Sequence, residues 1–127
     1  MPGPHAPDGV PGERSRRKRF DAVVASVVAD LEKPWRAELR GVEFGVEEVP
    51  WVDDDWQPEQ VPLATLVPGR SREPTRIVVY RLPIRARLLR EGSAIRERDL
   101  VYAALVERVA ELLGRTPDEV DPRVDSP

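Results

Sequence analysis

Glu107 and Glu111 lie four residues apart in this 127-residue chain. On a helix, a separation of four puts both carboxylates on one face. There they could hold a hard cation such as Mg²⁺ or Ca²⁺, with Asp118 as a further ligand. Two carboxylates from one helix leave most of the about six oxygens that Mg²⁺ requires to water. The expected arrangement is therefore a solvated acidic face, with Glu111 paired to Arg108 and Arg115.

The remaining residue types close off much of the catalytic repertoire. The chain has no cysteine and one histidine, His5. A Cys/His zinc site cannot be assembled, and Ser26, Ser71 and Ser93 have no histidine base in a folded segment. Disulfides are excluded, so nothing favours an oxidising compartment. Asp53, Asp54 and Asp55, flanked by Trp51 and Trp56, could meet a cation or a basic partner. With no glycine to tighten the loop, an exposed acidic segment whose tryptophans cover the sheet edge is expected. The run Arg14, Arg16, Arg17, Lys18 and Arg19 could touch phosphate or nucleic acid. No aromatic is interleaved and the net charge is −3, so it is read as a solubilising lead-in.

The elements that must position these groups follow from periodicity. Phe20, Val23, Val24, Val27, Val28 and Leu31 form one helical stripe, which Pro34 ends. Trp35 to Arg40 continue as a turn over the core. Val42, Phe44 and Val46 alternate with polar or small residues, as in a half-buried strand. Residues 50–74 carry five prolines and read as a long loop with one short edge strand at Ala64–Val67. Arg76 to Tyr80 is a β-branched strand. Pro83 is placed at the start of a helix over 83–90 that stops at Gly92. A longer helix, starting at Ala94 or Asp99 and ending at Leu113, is apolar around most of its circumference. It should be the most buried, with Gly114 as its stop. Thr116-Pro-Asp-Glu119 opens one last short helix. The organisation is a Pro/Gly-rich tail over 1–13, expected to be disordered, one domain over 14–122, and a tail over 123–127.

In this order of elements, Arg19 to Val24, Arg76 to Pro83 and Val106 to Gly114 resemble the small bacterial zincin-like metallopeptidase family over about residues 15–122. That family's helix carries H-E-x-x-H-x-x-G-x-x-D: two histidines on one face bind zinc, and the glutamate is the general base. With Gly114 on the motif glycine, the first histidine falls on Glu107 and the base on Arg108. The second histidine falls on Glu111 and the acidic ligand on Pro117. All four chemical positions are changed. Arg108 also places a permanent cation where the metal would sit.

The resemblance implies an α+β fold, a small mixed sheet packed on an N-terminal helix and a long buried C-terminal helix. It also implies a pseudoenzyme of the metallopeptidase family: no catalytic residue, no zinc and no cofactor. The expected role is a protein-binding or structural module presenting Glu107, Arg108 and Glu111 beside Trp51 and Trp56. An active peptidase with an atypical metal, and a weak nucleic-acid contact through residues 14–19, are the alternatives. The 18 arginines against 2 lysines suit a high-GC bacterial coding sequence. With no apolar span and no secretory signal, no membrane partner and a cytoplasmic location are expected.

Overall fold

The computed structural model describes residues 11–51 and 61–122. The first helix, α1, runs Pro11–Glu32 and buries Phe20, Val24, Val27 and Leu31 along the expected stripe. It begins inside the stretch read as tail. Pro11 fits a first helical position, where no N–H is needed, and Glu13 is held by Arg81 Nη2 at 2.7 Å. A turn over 33–41 follows, with Leu39 buried and Gly41 at a φ of 82°.

Three short strands form the sheet: β1 (Glu43–Glu47), β2 (Ala64–Val67) and β3 (Arg76–Tyr80). Their order is β1-β3-β2, with β1 parallel and β2 antiparallel to β3. Register stacks Phe44, Ile77 and Leu66 in one row and Val46, Val79 and Ala64 in the next. Both rows belong to the core that α1 also enters. The link between β2 and β3 is tightened at Gly69, where any Cβ would lie 2.6 Å from the Glu73 carbonyl.

Next comes α2 (Arg81–Glu91). It starts two residues before the expected Pro83, which still lies in the first turn, where its missing N–H costs no intrahelical bond. After a single 3₁₀ turn comes α3 (Glu97–Leu113), which buries Leu100, Val101, Ala104, Leu105, Val106, Val109 and Ala110. It packs on β2, β3 and α1, and contributes more buried residues to the core than any other described helix. Gly114 ends it in the left-handed conformation, φ 67° and ψ 34°. Gly114 N–H bonds to Glu111 O and Arg115 N–H to Ala110 O, the paired bonds of a Schellman cap. The last helix, α4 (Pro117–Val120), opens with Glu119 accepting from the Thr116 N–H at 2.8 Å.

The expected α+β architecture, with a small mixed sheet on a first and a last long helix, is the one observed. Asp121, just past α4, is buried and accepts a hydrogen bond from the Tyr102 hydroxyl. Among the described residues no helix is long and apolar enough to cross a membrane.

Candidate functional site

The face of α3 that the spacing singled out is assembled as a helix surface. Glu107 and Arg108 are half-buried and Glu111 is exposed. Arg108 Nε lies 3.5 Å from Glu111 Oε1, so the expected Arg108–Glu111 ion pair is present. The expected second partner of Glu111 goes elsewhere. Arg115 lies over the Trp35 ring, 5.4 Å from its centre, because Trp35 is fixed there by donating to Val120 O at 3.1 Å. Pro117 is the first residue of α4, and Asp118 is exposed beside it. Among the described residues no three acidic or imidazole side chains converge as a metal site would require.

Trp51 is 92% exposed beyond the end of β1. No hydrogen bond or ion pair among the described residues joins it to the α3 face. Trp56, the three aspartates before it and His5 lie outside the described residues. Ser26 accepts from Arg98 Nη2 at 3.2 Å, a tie between α3 and α1 that Asp30 reinforces at 2.6 Å. Ser71 occupies the β2–β3 turn at a φ of 50°.

Two further features escape the sequence patterns. The first is a charged network at the start of α2. Arg81 is only 5% exposed; its Nε and Nη2 donate to the two Glu48 oxygens at 2.7 Å each, and Nη2 also to Glu13 at 2.7 Å. These bonds hold Glu48 below the ordinary glutamate range, aided by the charges of Arg81 and Arg17. Glu13 is lowered by its hydrogen bond from Arg16 and by Arg81. Arg81 is raised by the Glu48 hydrogen bond.

The second feature is a groove of about 490 Å³ between α1 and β1, floored by Val24, Val28, Phe44 and Val46 and rimmed by Asp21 and Glu32. It runs along an unpaired strand edge, because β1 bonds only to β3 among the described strands. Glu43 donates its N–H to Thr75 O on the β3 side. Alternation along a parallel ladder then turns the peptide groups of Phe44 and Val46 toward the open side. A half-buried alternating strand was legible in the sequence; which of its edges stays unpaired was not.

Compared with known proteins, the chain matches no family model and no curated protein.

Proposed function

We propose that this chain is a peptide-binding module on a zincin-like scaffold from which the zinc chemistry has been lost. The α1–β1 groove would take an extended apolar segment that carries basic residues. The observation that carries this reading is the open edge of β1 lying along that apolar groove. An added strand would satisfy the peptide groups of Phe44 and Val46, which bond to no described strand, with alternate side chains entering the groove. Asp21 and Glu32 at the rim favour Lys or Arg in the ligand.

The scaffold part of the proposal is supported by α3. It ends in a left-handed glycine where the family motif has one, and Arg108 and Glu111 neutralise each other where that motif has its base and a metal ligand. A cytoplasmic setting and a bacterial origin belong to the same proposal.

Selection from a random peptide library on the full chain tests it. Enrichment of apolar sequences flanked by Lys or Arg is expected, and Ala29→Trp, which fills the groove from exposed α1, should abolish it. A selection with no consensus, or one unchanged by Ala29→Trp, contradicts the reading.

A second surface, the α3 face of Glu107, Arg108 and Glu111, is favoured by one observation. Arg108 Nε is shielded from water and makes no hydrogen bond. A consensus lost in Arg108→Ala but kept in Ala29→Trp would move the binding site there.

A further inference from the structure

Folding brings the basic run of α1 against the start of α2. Arg16 and Arg19 from α1 and Arg81 and Arg85 from α2 line a cavity of about 300 Å³, together with Phe20 and Glu97. Four guanidinium groups thus face one carboxylate in that lining, in a chain whose net charge is −3. Arg16 is compensated by Glu13 at 3.0 Å. Arg81 is compensated by Glu48 and Glu13, and the same bonds fix its position. Its Nη1 donates to no acceptor among the described residues. Arg19 and Arg85 are exposed, and no ion-pair partner for either is found among the described residues.

From this arrangement we propose that the α1–α2 cavity binds a small phosphate-bearing ligand, with Arg19 and Arg85 as its principal cations and Arg81 as a fixed donor. Guanidinium groups match the oxygens of a phosphate with paired N–H donors. A phosphomonoester carries about 1.5 to 2 negative charges near neutral pH and three acceptor oxygens. It uses this cation excess better than a singly charged carboxylate with two. A volume of about 300 Å³ lies at the small end of ligand sites, enough for a phosphoryl group and a short organic body. Phe20 supplies carbon surface for that body. A bounded cavity and an acidic chain are unlike the long basic track of a nucleic-acid binder. This site is independent of the α1–β1 groove.

Calorimetric titration of the full chain with inorganic phosphate, glycerol 3-phosphate and a short single-stranded DNA tests the proposal. One-to-one binding of glycerol 3-phosphate is expected, weakened about tenfold or more by Arg19→Ala and by Arg85→Ala, since each removes a charge-assisted hydrogen bond. Arg36→Ala, beyond the far end of α1, should leave it unchanged. Inorganic phosphate binding equally well would place the recognition in the phosphoryl group alone and still support the site. No heat from either phosphate at millimolar concentration overturns it. So does affinity indifferent to Arg19→Ala and Arg85→Ala. DNA binding that falls with Lys18→Ala but not with Arg85→Ala overturns it in favour of a nucleic-acid contact along α1.

Discussion

Arg81 meets Glu48 side-on, Nε to Oε2 and Nη2 to Oε1, both at 2.7 Å. Arg81 opens α2, and Glu48 directly follows β1, so the pair ties the end of the parallel β1–β3 ladder to the next helix. Leu82 N–H reinforces the tie by donating to Glu48 O at 3.0 Å. Arg81 is almost fully buried while Glu48 is partly in water, so the pair should be worth less than a fully desolvated one. Arg81→Ala should lower stability by about 1–3 kcal/mol. Urea unfolding checks this, and a double-mutant cycle with Glu48→Ala should recover part of the loss as coupling.

Acid should weaken the same network. Glu48 is depressed below its ordinary value of 4.5 by the Arg81 hydrogen bonds, and Glu13 by the hydrogen bond from Arg16 and by Arg81. Asp30 is lowered by Arg98 and Glu119 by the Thr116 backbone bond. A depressed folded-state value means that the unfolded chain takes up the proton first, so acid favours unfolding. The stabilisation is complete above the ordinary value of 4.5 and is lost as pH falls through the lower folded-state values. Stability measured from pH about 7 down to 2 should stay level and then decline below about 4.5. Glu48→Gln should make that decline shallower.

Two glycines should respond in opposite directions. Gly114 has a φ of 67° at the end of α3, so Gly114→Ala should destabilise by about 1 kcal/mol. Gly12 lies within α1 with open space where a Cβ would go. Gly12→Ala should therefore stabilise by up to about 1 kcal/mol. Thermal unfolding of the two variants reads both signs.

Much of the fold is legible because its signals are local. The stripe from Phe20 to Leu31, the β-branched run Arg76 to Tyr80 and the Thr116 box are set by neighbours within a turn or two. Even β2 shows between its flanking prolines. Relations across the chain are different. Arg81 reaches Glu48 over 33 residues and Glu13 over 68, and no period marks such partners. Composition alone therefore places Glu13 in the tail over 1–13, and no local pattern singles out Arg81. Arg115 likewise lies four residues from Glu111, yet Trp35, distant in sequence, takes it. The Arg108–Glu111 pair, three apart on one helix, was legible.

The proposed zincin-like scaffold makes a constructive prediction. Glu107→His, Arg108→Glu, Glu111→His and Pro117→Asp together should restore two imidazoles on one helix face and an acid beyond Gly114. The folded quadruple variant is expected to bind zinc in a competition assay with a chelating dye, with the parent chain binding none. A folded variant without zinc affinity contradicts the alignment on Gly114 or the scaffold itself.

Amide hydrogen exchange reads the edge of β1 that no described strand pairs. In the free chain, Phe44 and Val46 amides should exchange faster than those of Gly45 and Glu47, which face β3. Adding a library-selected peptide should protect Phe44 and Val46 by at least about tenfold, as new inter-strand bonds form. Peptide binding that leaves those two amides unprotected, or protects only the α3 face from Glu107 to Gly114, would contradict strand addition at β1.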